Sequence, residues 1–300
     1  MSAVRSSVEV ELEPAQVFDI VVEELGLAGI QLDEGRALAW EPGCRILLDW
    51  QDTDWEPHET TEVELRFEPI DGGTRVSLEC RGWERVLGDR GSELAGWFAG
   101  EALAPLLEAI SPARYGDWLT DRRARRPSGL QARGVYADPL YHYPNFAVIH
   151  EQLELAADDL LLEVGCGGGA FLRKALESGC RVKAVDHSPD MVRLARATNR
   201  DAVAAGRLEV VEASADRLPF ADGSFTCAVM TGVLGFLPDA VGALAEIRRV
   251  LAPGGRFVAL GSDPALRGTP AAPEPMASRL RFYEDDELER LGRDAGFTEV

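Results

Sequence analysis

The stretch Leu160-Leu161-Leu162-Glu163-Val164-Gly165-Cys166-Gly167-Gly168-Gly169-Ala170 carries a short apolar run straight into a cluster of glycines and then into a helical pattern. A run of that length ended by glycine reads as a buried strand, and glycine permits the tight turn that follows it. Similar runs recur at Arg181–Val185, Leu208–Val211, Phe225–Met230 and Arg256–Leu260, with helical stretches near 170–178, 189–205, 239–251 and 284–295. Short strands alternating with helices predict a mostly parallel sheet covered on both faces, the α/β Rossmann-like, doubly wound arrangement. Ligands of such sheets bind beyond the carboxyl ends of the strands, so the strand-ending residues are the functional candidates.

The first part of the chain has a different texture. Trp40, Trp50, Trp55, Trp83, Trp97 and Trp118 are all of the tryptophans, and all lie in the first 118 residues. Ser7–Leu12 alternates at period two, and Pro14 opens a helical stretch over Ala15–Leu25. Strand-like runs follow at Ala37–Trp40, Arg45–Trp50, Glu62–Ile70 and Thr74–Trp83, the last two joined by the hairpin signal Asp71-Gly72-Gly73. A closing helix is expected over Ser92–Ile110. One antiparallel sheet curling around one long helix buries that pattern economically, giving an α+β domain. The break falls at Arg122-Arg123-Ala124-Arg125-Arg126-Pro127-Ser128-Gly129, which reads as a solvated linker. The expected organisation is residues 1–121 as one domain, 122–130 as linker and 131–300 as the second domain.

Charge and composition exclude several functions. Residues 1–120 hold 25 acidic against 9 basic side chains and the whole chain carries −20, a field that repels nucleic acid phosphate. No apolar run approaches the roughly 20 residues that cross a bilayer, and the start lacks a signal-peptide core, so no membrane partner is expected. Cys44, Cys80, Cys166, Cys180 and Cys227 are scattered without CxxC spacing, which predicts reduced thiols in a cytoplasmic protein and no metal site.

The glycine turn alone is ambiguous, because Gly165, Gly167 and Ala170 also satisfy a relaxed dinucleotide fingerprint. Asp186 ends the second strand, where a carboxylate can accept both hydroxyls of a ribose in either cofactor class. Glu163 separates the classes. A carboxylate at this strand mouth would repel a pyrophosphate and attract a sulfonium or ammonium group. Ala213-Ser214-Ala215-Asp216-Arg217-Leu218-Pro219-Phe220 continues through Ala221-Asp222-Gly223-Ser224-Phe225, and Leu251-Ala252-Pro253-Gly254-Gly255-Arg256 leads into the fifth strand. Together with Glu163–Gly169 and Asp186, these segments resemble class I S-adenosyl-L-methionine-dependent methyltransferases of the type 11 group, over residues 131–300.

That resemblance implies S-adenosyl-L-methionine as cofactor and a small molecule as methyl acceptor. It implies that Gly165, Gly167 and Gly169 lie against the methionine part with Glu163 near its amino group. Asp186 would hold the ribose, and His187 and Met191 would flank the adenine, although these two read equally well as a loop residue and a core helix residue. Ser214 stands where many relatives have Asp to receive the adenine amino group, with the backbone N–H of Ala215 next to the ring. No acid–base constellation is legible after the fourth strand, in Thr231-Gly232-Val233-Leu234-Gly235-Phe236-Leu237. Tyr136, Tyr141, His142, Tyr143 and His150 precede the glycine turn, in the segment that often forms the family's lid, and His142 is the candidate base among them.

Residues 5–118 resemble the helix-grip SRPBCC (START-like) superfamily, particularly homologues of the activator of the heat-shock chaperone ATPase. The likeness rests on Val17-Phe18-Asp19, on Thr61-Glu62-Val63-Glu64-Leu65-Arg66-Phe67-Glu68-Pro69 and on Gly73–Glu79 leading to Gly82-Trp83-Glu84-Arg85. It implies a sheet around a long helix, with tryptophans that either line a pocket for an apolar ligand or fill the core. The methyltransferase fold that residues 131–300 resemble normally finishes with a strand after Ala295-Gly296-Phe297 and an antiparallel partner. Either the chain is clipped, or another subunit, as in a homodimer, or the first domain covers the open edge. The leading expectation is a methyltransferase of a small molecule, and the rival is a ligand-binding or chaperone-associated module on a vestigial methyltransferase fold. An NAD-dependent oxidoreductase is opposed by Glu163.

Overall fold

Alternation of apolar and polar residues on β4 (Thr61–Ile70) turns Val63, Leu65 and Phe67 to one face, where they are at most 2% exposed. The same alternation on β5 (Gly73–Arg81) buries Val76 and Leu78. With β1 (Val4–Val10), β2 (Ala37–Glu41) and β3 (Arg45–Trp50), these strands make a five-stranded antiparallel sheet in the order β1-β5-β4-β3-β2. Helix α1 (Pro14–Glu24) begins in a capping box, in which Glu13 N–H donates to Gln16 Oε1 at 2.9 Å. Its buried residues Val17, Ile20 and Val21 share one core with the inner face of the sheet. On the outer face Glu64, 1% exposed, lies beneath Arg45, Arg66 and Arg81, whose guanidinium nitrogens stand 2.6–2.7 Å from its carboxylate.

The structure, a computed structural model, describes residues 4–25, 37–51, 60–83 and 110–299, apart from the side chains of Leu130 and Tyr141. The long helix expected over Ser92–Ile110 therefore lies outside the described residues except for Ile110, as do Trp55 and Trp97. The chain divides into two units, Met1–Trp118 and Leu119–Val300.

In the second unit five parallel strands stand in the order β10-β9-β6-β7-β8: β6 (Leu160–Val164), β7 (Arg181–Asp186), β8 (Leu208–Glu212), β9 (Phe225–Thr231) and β10 (Leu251–Leu260). Neighbouring residues on β6 face opposite cores, which is why its sequence is apolar throughout. Leu161 joins Val182, Val210 and Val229 in a core with α4 (Tyr143–Leu153) and α5 (Ala170–Leu176). Leu162 and Val164 join Ala228, Met230 and α8 (Ala240–Val250) in the other. The remaining helices are α2 (Pro112–Thr120), α3 (Gly129–Ala137), α6 (Pro189–Thr198), α7 (Arg200–Ala204) and α9 (Asp285–Asp294).

Two details depart from the sequence reading. The helix expected over 189–205 is two helices, because Asn199 leaves helical geometry at φ −116° and turns its amide to the carbonyls of Gly169 and Ala195, each at 3.0 Å. The arginine-rich segment, read as a solvated linker, is ordered. Asp121–Arg125 continues α2 as one turn of π-helix, a form frequent at functional sites. Beyond it, Pro127 O accepts from the buried Ser188 hydroxyl at 2.5 Å, and Gly129 N–H donates to Asp190 at 2.8 Å. These bonds fasten the segment to the start of α6.

Candidate functional site

The chain runs outward through β6, β7 and β8, then crosses to β9 and β10 on the other side of β6, so the strand order reverses beside β6. Val164 pairs with Val185 on one side and Met230 on the other, which brings the ends of β6, β7 and β9 level. A crevice at this reversal point is the general ligand position in open α/β sheets. Here it is a cavity of about 280 Å³.

The glycine turn forms one wall. Gly165 has φ +77°, and a Cβ there would collide with the Val233 side chain. Gly167 has φ +51°, and its Cβ would stand 2.9 Å from the Tyr136 ring. The turn is fixed to the second strand, since Gly167 N–H donates to Asp186 Oδ2 at 2.9 Å and Ser188 N–H to Asp186 Oδ1 at 2.9 Å. Burial raises the Asp186 carboxyl above its usual range, and the two backbone donors and His187 only partly offset this. His187 is half exposed, its Nδ1 3.8 Å from Asp186 Oδ1.

Glu163 lies 3% exposed at the end of β6, and its Oε2 is buried without a hydrogen-bond partner. Burial, and next the nearby charge of Asp186, hold its carboxyl well above the ordinary carboxylate range. A buried carboxyl left unsatisfied in a native fold calls for an explanation, and a cation brought to the turn is one that fits. The Cys166 thiol between the glycines is pushed well up by burial and then by the charges of Glu163 and Asp186, so it is an inert thiol.

Of the residues singled out in the sequence, Gly165, Gly167, Asp186, His187, Ser214, Ala215 and His142 line the cavity. Three do not. Glu163 is enclosed at the end of β6, Met191 is wholly buried on α6, and Gly169 caps α5 and packs against Asn199 and Ala195. Burial pushes the His142 imidazole below its ordinary range, which favours the neutral base at pH 7. Tyr136 also lines the cavity, whereas Tyr143, 38% exposed, does not and its hydroxyl bonds Asp138. Sequence reasoning missed Ala124, Arg125, Val233 and the Thr231 hydroxyl, which lines the cavity and is buried without a partner. Only the position of Thr231 at a strand end signalled it in the sequence.

Residues 162–259 match the family model described as a methyltransferase domain, and residues 5–99 match that of activator of Hsp90 ATPase homolog 1-like proteins. The chain is 32% identical over 166 residues to an uncharacterized chloroplast methyltransferase of Arabidopsis thaliana, covering 51% of this chain and 46% of that protein. It is 40% identical over 119 residues to a demethylmenaquinone methyltransferase of Thermus thermophilus, covering 39% and 52%. Among solved structures it resembles one of a Haloferax volcanii complex between the Trm112 methyltransferase activator and a methyltransferase, at a TM-score of 0.48 and 25% identity over 55% of this chain and 72% of that one. The chain spans about half the length of these two curated relatives.

Proposed function

We propose that this chain, which carries a class I methyltransferase domain behind a domain of the Hsp90-activator-homologue family, binds S-adenosyl-L-methionine and methylates a small molecule. The observation that carries the reading is Glu163, a buried carboxyl with an unpartnered oxygen beside a turn built of glycines. An ammonium group seated there would satisfy Oε2 and relieve the repulsion between Glu163 and Asp186. A dinucleotide pyrophosphate in the same place has no donor to offer Oε2 and would oppose ionisation of Glu163 and Asp186 instead.

In this reading the cavity residues, and the enclosed Glu163 and Met191 behind them, each have a task. Glu163 holds the cofactor's amino group and the glycine turn leaves room for its methionine part. Asp186, whose oxygens each retain a lone pair after accepting from Gly167 and Ser188, accepts the ribose hydroxyls. His187 borders the adenine, Ser214 accepts from its amino group and the Ala215 N–H meets the ring. The Met191 side chain, buried on α6, supports the adenine wall from behind. The bound cofactor supplies an electrophilic methyl group. His142, neutral because it is buried, takes the proton of an acceptor hydroxyl, and positioning with exclusion of water supplies much of the remaining acceleration. Calorimetric titration of the full chain with S-adenosylhomocysteine and with NAD tests the assignment. Saturable binding of the first alone is expected, and binding of NAD alone would overturn it.

A further inference from the structure

A second cavity, of about 530 Å³, lies beside the first. Ala124 and Tyr136 border both, and the Tyr136 ring is the one packed against Gly167. The same short helical segments therefore wall the glycine turn on one side and a larger chamber on the other. Leu119 on α2, Val135 on α3, and Pro270, Pro273, Pro275 and Met276 in the irregular segment after β10 give the chamber an apolar lining. Its charged members are Arg123 and Glu274, one of each sign, so the lining has no net charge to select an ion. Glu274 is already engaged, its Oε2 accepting from the Ser278 hydroxyl at 2.7 Å. Val135 is 53% exposed, and Pro270, Pro273 and Glu274 are exposed as well, so this cavity is open to solvent along one side.

We propose that this second cavity seats the apolar body of the methyl acceptor, an uncharged molecule bearing a hydroxyl, while its polar head passes Tyr136 into the first cavity. The inference rests on the methyltransferase reading. Three observations support it. The chamber is apolar and the larger of the two, which suits a molecule recognised by burial and not by charge. It adjoins the cofactor wall through one aromatic side chain, so a molecule seated in it has its end near the turn. The first cavity offers that end the buried, unpartnered Thr231 hydroxyl, which can hydrogen-bond a hydroxyl head. An anionic acceptor would find no surplus of positive charge in the chamber lining.

The test uses the full chain with two probes, 1-naphthol followed by its own fluorescence and farnesol as its competitor. Val135→Asp and Met276→Asp each place a carboxylate in the second cavity at a partly exposed position, away from every proposed cofactor contact. The expected result is at least tenfold weaker naphthol binding in each, with S-adenosylhomocysteine affinity within twofold of the parent and naphthol binding retained by Val135→Ile. Naphthol binding that is absent from the parent, or unchanged in both aspartate variants, overturns the proposal while S-adenosylhomocysteine binding leaves the methyltransferase reading in place. A parent chain that binds no S-adenosylhomocysteine overturns both.

Discussion

Replacing Glu163 by Gln keeps the shape of the side chain and removes its charge, which separates two consequences of burying this carboxyl. Toward the cofactor, a charge-assisted hydrogen bond becomes a neutral one. Charge-assisted bonds contribute about twice what neutral ones do, so the loss is about 1–2 kcal/mol. At about 1.4 kcal/mol per tenfold, that is about a five- to thirty-fold rise in the Kd for S-adenosylhomocysteine, read by calorimetry. The pH dependence supplies the sharper signature. In the free protein burial raises the Glu163 carboxyl well above its ordinary value, so the folded state keeps its proton to higher pH than the unfolded chain does. The ammonium group needs the carboxylate, so binding releases a proton below the raised value and affinity climbs as pH rises through it. Folding has the opposite slope. The parent loses stability as pH rises from the unfolded carboxyl value through the folded one, because the folded state must then bury a charge. Glu163→Gln flattens both slopes, so the free variant should melt no lower than the parent at alkaline pH while binding more weakly. A Kd within twofold of the parent and an unchanged pH dependence would refute the reasoning.

Asp186→Ala should weaken S-adenosylhomocysteine by about 1–3 kcal/mol, the scale for hydrogen bonds to a charged group, and should also loosen the turn that Gly167 and Ser188 anchor to it. Parent-like affinity in a folded variant removes Asp186 from the site. Gly167→Val forces a branched residue to φ +51° against the Tyr136 ring, and a stability loss of at least about 1–2 kcal/mol with loss of cofactor binding is expected. Calorimetry at a temperature where the variant remains folded checks it, and normal binding means the turn faces elsewhere. In the first unit, Arg81 and then Arg5 hold the Glu79 carboxyl down at about 2, and Arg45, Arg66 and Arg81 hold Glu64 below its usual range despite burial. Their stabilisation is present above the unfolded carboxyl value and is lost as pH falls through the folded values. Tryptophan fluorescence reports this unit alone, since no tryptophan follows Trp118. It should show Arg81→Met unfolding at higher pH than the parent, and identical acid midpoints would count against the ion-pair account.

The strands of the second unit were legible because each is a short apolar run stopped by a polar or glycine residue, and the structure ends β6 at Val164 and β9 at Thr231. Glu163 and Asp186 were legible for the same reason, since a carboxylate at the mouth of a buried strand is costly without a partner. Periodicity could not show the break at Asn199, which comes from one side chain bonding to the Gly169 carbonyl from thirty residues away. Composition at Arg122–Gly129, charge beside Pro and Gly, reads as linker and carries no sign of the helical turn over Asp121–Arg125, which is closed by Arg126 N–H donating to the Asp121 carbonyl, or of the bond from Ser188 to Pro127 beyond it. The approach of Tyr136 to Gly167 is likewise a product of packing, with no trace in the spacing of either residue.

The central claim is that one cavity at the reversal point of the parallel sheet takes the cofactor with its amino group on Glu163. A crystal structure of the full chain with S-adenosylhomocysteine tests it most directly. The account predicts the ammonium nitrogen within about 3 Å of Glu163 Oε2 and the ribose hydroxyls at like distance from Asp186, along the turn of Gly165 and Gly167. A ligand seated elsewhere, or one whose amino group faces away from Glu163, would contradict it.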